Sequence, residues 1–339
     1  MPMTEASMQK VFFREAIARA LVEEMTRDER VILIGQDVGA FGGSYKETRG
    51  IFERFGPARV RDMPVAEAAT IGIAVGAAAA GLRPVAFITY MDFLTLGLDA
   101  LVNYGAKIRY KTAGQLCAPL VVKVTAGAKG QGVAHSQSFE PWLMNVPGLK
   151  VVAPSTAADA YGLLKAAIRD DGPVVLVDHK RLFPRPGEIP IEESLVPLGN
   201  AVVRLRGRHV TLVAFGYVVS VALETAAMLA AEDISCEVVD LRSLWPLDLA
   251  TVCASVEVTG AAFFLEEGQT TCGVGAELAF QVRERVPRAR VARMGARRAP
   301  ISSNPVFESF CVPDASRLCE AVRAFVGKAS PSDHGIGPR

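Results

Sequence analysis

The chain has 339 residues, half of them apolar, which is ample for a packed core and long enough for two domains of ordinary size. Its 37 Lys and Arg nearly cancel its 36 Asp and Glu, and no basic cluster stands out, so neither nucleic acid nor an anionic membrane surface is an expected partner. The six cysteines (Cys117, Cys236, Cys253, Cys272, Cys311 and Cys319) form no CxxC pair, which leaves no zinc or disulfide signature and suits reduced thiols in the cytoplasm.

The opening residues, MPMTEASMQKVFF, lack a basic stretch followed by an apolar one, so no secretory signal is read there. Residues 8–27 are expected as a helix: Ala16, Ile17, Ala20, Leu21 and Met25 recur at helical spacing, and Ser7 is placed to cap it. Val31–Gly35 reads as a fully apolar strand, 59–63 as another, and mostly apolar runs follow at 84–89, 119–124, 149–152 and 174–177. Helical patterns lie between them at 93–110 and 157–168. Continuous apolar strands alternating with helices indicate a parallel sheet covered on both faces. Residues 68–82 carry no charge and are rich in Gly and Ala; the run is short of the roughly 20 residues that span a bilayer, and it is read as a buried helix.

The texture changes at 181–199, RLFPRPGEIPIEESLVPLG, which has four prolines and no clear period, as in segments that join domains. A second alternation follows, with strands at 210–215, 236–239, 261–265 and 291–294 and helices at 218–231, 249–256, 275–286 and 315–325. The expected fold is therefore α/β in two domains. The first covers 1–185, a linker 186–200 follows, the smaller second domain covers 201–327, and 328–339 is expected as a disordered tail.

Glu67 follows the strand at 59–63 and opens the uncharged helix. Ligands of open α/β sheets sit beyond the carboxyl ends of the strands, whereas a first-turn glutamate is also favoured by the helix dipole alone; spacing does not separate the two. An acid in apolar surroundings can meet a ring nitrogen as donor or acceptor. His135 is delivered by the glycine-rich stretch 126–138, while His179, His209 and His334 lack such a setting. A plain loop histidine is an equally good reading, and the absence of a following GK[ST] argues against a phosphate loop. Gly273 and Gly275 stand where a dinucleotide fingerprint would begin, but Leu278 occupies its third glycine, so a structural turn is favoured. Residues 216–220 (GYVVS) do not fit a nucleophile elbow.

Seven motifs then stand in order: GQDVG at 35–39, PVAEA at 64–68, GIAVGA at 72–77, GLRP at 81–84, HSQS at 135–138, PGLKVVAPS at 147–155 and DLRSLWPLD at 240–248. Together they resemble the beta subunit of the thiamine-diphosphate-dependent first component of 2-oxoacid dehydrogenase complexes, the family of the pyruvate, branched-chain and acetoin dehydrogenases. The resemblance runs from about residue 8 to 327 and implies a parallel-sheet pyrimidine-binding domain followed by a transketolase C-terminal-like domain. It implies that Glu67 hydrogen-bonds the aminopyrimidine ring of thiamine diphosphate and so promotes loss of the thiazolium proton. It implies likewise that Phe93 packs on that ring and Val65 lines the same pocket, and that His135 lies near the substrate and serves decarboxylation and acyl transfer to lipoamide. The carbonyls of Leu120, Ala167, Asp170 and Gly172 match a potassium site of some relatives.

No Gly-Asp-Gly occurs in the chain, the motif through which thiamine enzymes hold the diphosphate by way of magnesium. The resemblance therefore implies that an alpha subunit supplies the magnesium and diphosphate half, in an assembly of two alpha and two beta chains. It further implies a lipoyl acyltransferase core as a partner and a 2-oxoacid or acetoin as substrate. Gln36 stands where many relatives carry glutamate, and the loop at 125–132 is one residue shorter than in pyruvate enzymes; these departures leave the acyl group open. Three other readings stay in play: half of a split transketolase-like enzyme, a nicotinamide oxidoreductase using the second domain, and a non-catalytic scaffold.

Overall fold

A computed structural model describes residues 7–327; the expected disordered tail, 328–339, lies outside the described residues. The first half of the chain forms β1 (Met8–Phe12), α1 (Phe13–Arg27), β2 (Val31–Gly35), α2 (Ile51–Arg59), β3 (Val60–Asp62), α3 (Glu67–Ala79), β4 (Arg83–Ile88), α4 (Met91–Leu94), α5 (Ile108–Lys111), β5 (Val121–Ala126), α6 (Glu140–Met144), β6 (Lys150–Val152), α7 (Ala157–Arg169) and β7 (Val174–His179). The second half forms β8 (Pro186–Pro190), β9 (Val202–Leu205), β10 (Val210–Ala214), α8 (Val218–Ala230), β11 (Cys236–Asp240), β12 (Ser243–Trp245), α9 (Leu249–Thr259), β13 (Ala261–Gln269), α10 (Val274–Arg285), β14 (Arg290–Ala296), α11 (Pro305–Cys311) and α12 (Ala315–Val326).

Two sheets organise these elements, a seven-stranded one in the order β12-β6-β7-β5-β4-β2-β3 and a five-stranded one in the order β14-β13-β10-β11-β9. Within each, every pairing is parallel except that of the edge strand β12 or β9. The central strands β5 and β7 are buried along their whole length, as strands covered by helices on both faces must be. The exception to their apolar character is instructive. Lys123 in β5 is buried, yet it faces Asp178 at 2.9 Å and Glu47 at 3.3 Å and lies 4.9 Å from the ring centres of Phe87 and Phe183. A buried charge is tolerable only when paired in this way.

Three expectations need correction. Residues 8–12 are a strand, not helix: β1 pairs antiparallel with β8, Met8 opposite Pro190 and Phe12 opposite Pro186. Helix α1 therefore starts at Phe13, and its start is satisfied not by Ser7 but by the Glu15 carboxylate, which accepts the Phe12 N–H at 2.8 Å. The expected linker thus contributes a strand that returns to the amino terminus. Residues 93–110 do not form one helix: α4 runs into a 3₁₀ turn at Thr95–Gly97, a π-helical stretch at Ala100–Gly105 and then α5, because the segment bends around α3, against which it packs.

Finally, α3 is only half buried. Thr70, Ile71, Ala74, Val75 and Ala78 face the core, whereas Ala68, Ala69, Ile73 and Gly76 are exposed, since no described element of this chain covers that side. The two domains share a core: Val122 and Val151 of the first sheet lie in one apolar cluster with Val239, Leu244, Val252 and Phe264. β12, far along the chain, pairs with β6 and completes the first sheet, Ser243 opposite Val152.

Candidate active site

In the seven-stranded sheet the chain steps from β2 outward to β3, but from β4 it steps the other way, to β5. β2 and β4 are neighbours whose following connections diverge, and a crevice opens above their carboxyl ends, the place where open α/β sheets take ligands. The residues expected beside the cofactor or substrate each follow a strand of this sheet. Gln36 comes after β2, Glu67 and Val65 after β3, Phe93 after β4 and His135 after β5. Gln36 is half-buried and donates to the neighbouring Asp37 carboxylate at 3.2 Å.

Phe93 and His135 are brought together. The imidazole stands edge-on to the Phe93 ring at 5.3 Å and to the Tyr90 ring at 4.5 Å, with Tyr90 and Phe93 6.1 Å apart. Tyr90 was not foreseen; its hydroxyl accepts from the Gln131 amide at 3.3 Å, which links it to the loop carrying the histidine. Glu67 and Val65 stand apart from this cluster. β2 separates β3 from β4, so about 10 Å lies between their lines at the usual strand spacing, room for a flat ring. Glu67 is the first residue of α3 and half-buried, and the N-cap before it, Ala66, makes no side-chain hydrogen bond to the helix. Val65 beside it is 70% exposed. One acid with an apolar rim across from an aromatic cluster suits a mostly apolar heterocycle carrying a few ring nitrogens.

The loop bearing His135 is held from beneath and from the second domain. Lys180, buried, donates to the carbonyls of Gly127, at 2.9 Å, and of His135. Burial pulls its ammonium down to about 8. Glu267 of β13 accepts the Ala128 N–H and faces His179 at 3.0 Å. Burial pushes this carboxyl up, but His179, the Ala128 N–H and Arg181 together outweigh it and hold it below the usual glutamate range. Glu308 of α11 accepts the Gly130 N–H and pairs with Arg181 at 2.9 Å. Gly127 has φ +93°, and a Cβ there would come within 1.8 Å of the His179 ring, so only glycine fits. These groups were missed; the one signal was the run Asp178-His179-Lys180-Arg181 at the end of an apolar strand.

Comparison with known proteins fits this arrangement. Residues 9–186 match the transketolase pyrimidine-binding domain and 199–318 the transketolase C-terminal domain. A rice (Oryza sativa subsp. japonica) relative, "Pyruvate dehydrogenase E1 component subunit beta-1, mitochondrial", is 40% identical over 96% of this chain and 89% of its own. The beta subunit of acetoin:2,6-dichlorophenolindophenol oxidoreductase from Cupriavidus necator is 37% identical over 93% of this chain and 97% of its own.

The chain belongs to the transketolase-like family of pyruvate and acetoin dehydrogenase beta subunits.

The fold of this beta-subunit relative is also that of a solved split-gene transketolase, described as an inactive beta4 tetramer, with a TM-score of 0.75 at 24% identity over 93% of this chain and 98% of the other. The second domain's GxG turn is structural, as favoured. Glu266 reaches over the start of α10 and accepts the N–H groups of Val274 at 2.9 Å and Gly275 at 3.1 Å. A Cβ on Gly273 would lie 2.3 Å from its Oε1. The chain's own carboxylate thus occupies the helix terminus where a dinucleotide phosphate would sit. Burial pushes Glu266 up to about 7 against the two N–H groups.

The four residues of the expected potassium site lie at the opposite, amino end of the sheet. The Leu120 carbonyl accepts the Val174 N–H at 2.9 Å, that of Ala167 accepts the Asp170 N–H at 3.3 Å, and that of Asp170 accepts from Arg83 at 2.9 Å. Gly172 donates its N–H to the Asp170 carboxylate at 2.8 Å. Arg83 also holds the Ile168 carbonyl at 3.0 Å, so a guanidinium already lies on this loop. Each carbonyl keeps a second lone pair, and an ion there would share the loop with Arg83. Among the described residues no group of three or more His, Cys, Asp or Glu is placed to hold a metal, and no helix is long and apolar enough to cross a membrane.

Proposed function

We propose that this chain is the pyrimidine-side subunit of a thiamine-diphosphate-dependent 2-oxoacid or acetoin dehydrogenase that passes its acyl group to lipoamide. What supports the reading is that Glu67, Phe93 and His135 follow β3, β4 and β5 at the carboxyl end of one sheet, with the imidazole 5.3 Å from the Phe93 ring, in a chain whose relatives include both pyruvate and acetoin enzymes. When bound, thiamine diphosphate supplies the carbanion equivalent and the electron sink that cleavage next to a carbonyl needs. Glu67 holds a ring nitrogen and its proton, Val65 and Phe93 pack on the ring, and His135 holds or delivers a proton at the substrate side. Magnesium and the diphosphate fall to an alpha subunit, in an assembly of two alpha and two beta chains, and a lipoyl acyltransferase is the acceptor partner. Potassium at the 167–172 loop belongs to the same reading; a higher melting temperature in potassium than in choline chloride is its signature. The cytoplasm is the proposed compartment, in keeping with six free cysteines.

The test is reconstitution with a candidate alpha chain. Thiamine diphosphate with magnesium should bind the complex and not the lone chain, and 2-oxoacids or acetoin should then drive reduction of lipoamide. Ketol transfer between sugars without a lipoamide step would replace this reading with a split transketolase.

A further inference from the structure

The stretch 126–138 presents His135, yet its backbone is satisfied largely by groups far along the chain. We propose that Glu267 and Glu308, two carboxylates of the second domain, are positioning residues for His135, acting by gripping the backbone of its loop. The proposal rests on His135 serving the acyl-transfer chemistry described above.

The grip is built at two points. At the first, Arg181 donates its backbone N–H to His179 Nδ1 at 3.1 Å. That leaves Nε2 as the protonated ring nitrogen, and it faces Glu267 at 3.0 Å. Glu267 in turn accepts the N–H of Ala128. The His179 ring is stacked on Tyr217 at 4.8 Å, which fixes its plane. At the second, Arg181 donates Nε to the Ala128 carbonyl at 2.8 Å and Nη2 to Glu308 at 2.9 Å, and Glu308 accepts the Gly130 N–H. Both carboxylates are buried, and Ala128 packs with Ile301, Cys311 and Val312 of the second domain. Charge-assisted bonds in such surroundings are short and directional. Each grip lies within eight residues of His135, whose own carbonyl is held by Lys180. The second domain thus reaches the reaction by fixing where a histidine of the first domain points.

The experiment uses the complex with its alpha chain, bearing E267A, E308A, E267Q or E308Q, alone and combined with H135A. Loss of a hydrogen bond to a charged group corresponds to about 10- to 100-fold. Each Ala variant should lower kcat for acyl transfer by that factor, leave the KM for the oxoacid and thiamine diphosphate binding within about twofold, and be partly rescued by Gln. In the H135A background the same changes should cost nothing further, as expected for residues acting through one group. Hydrogen exchange at Ala128 and Gly130 should quicken while distant peptides stay protected. Additive losses on H135A, or unchanged exchange in the Ala variants, would overturn the proposal. Exchange is read on the protein whatever its substrate, so a failure of the functional reading shows as absent wild-type turnover and is separable from a failure of the grip. If an Ala variant does not fold, its Gln counterpart carries the same comparison.

Discussion

Between Asp62 and Arg83 a single residue, Glu67, is charged, and it stands at the head of a helix whose N-cap, Ala66, offers no side-chain hydrogen bond. Glu67→Gln should therefore leave folding nearly untouched, within the 0.3–1 kcal/mol or so that a first-turn carboxylate gains from the helix dipole. Turnover of the assembled enzyme should fall about 10²- to 10⁴-fold, the usual worth of a proton-handling group; kinetics and a melting curve on the same preparation check both.

Glu140 gives a pH prediction. Burial, with the nearby Glu266 and Glu267 adding to it, pushes its carboxyl from the ordinary 4.5 to about 8. The folded state then binds more protons than the unfolded one between those values, so stability falls as pH rises through that window. Each tenfold change in proton affinity is worth about 1.4 kcal/mol. Glu140→Gln should flatten the loss of stability between pH 5.5 and 8 without removing it, because Glu266, pushed up to about 7, titrates in the same direction. Lys180, held down to about 8, acts in the opposite sense only above that pH. Denaturant melts at the two pH values decide the matter, and equal slopes in wild type and variant would contradict it.

Among elements, α3 joins the clearest sequence signal to the largest correction. Its uncharged run predicted a helix correctly, but one face is left bare, with Ile73 half exposed and nothing within 4 Å of a Cβ placed on Gly72 or Gly76. Gly76→Ala should stabilise the lone chain by about 0.5–1 kcal/mol, as replacing glycine inside a helix does. If the proposed alpha subunit covers this face closely, the same change should weaken assembly, measured by sedimentation of the mixed subunits in the ultracentrifuge.

The strands β2, β5 and β7 were legible because each is mostly apolar, Lys123 and Asp178 being the charged exceptions, and can be read without knowledge of its neighbour. β1, β8 and β12 were not, because they are largely exposed or polar and are defined by their partners: Met8 meets Pro190, and Ser243 meets Val152. The same distinction runs through the site. Glu67 and His135 lie in ordered motifs that follow strands, and Phe93 came from the resemblance alone. Tyr90, Lys180, Glu267 and Glu308 act through a loop whose shape exists only once the second domain lies against it.

At the scale of the whole molecule, the shared apolar cluster and the strand contributed by the second half make the two sheets one stability unit. Calorimetry of the chain should show one cooperative transition, with matching calorimetric and van't Hoff enthalpies; two separated peaks would contradict it. The late arrival of β12 also has a consequence for how the chain is made. β7 ends at His179, but the strand that covers the edge beside it ends at Trp245. At about 5–20 residues per second, a ribosome takes several seconds to cross that interval. Throughout it, β6 presents an open edge on a nascent sheet, the kind of surface that recruits other strands. Slower synthesis over that stretch lengthens this exposure and should therefore raise the aggregated fraction of the newly made chain.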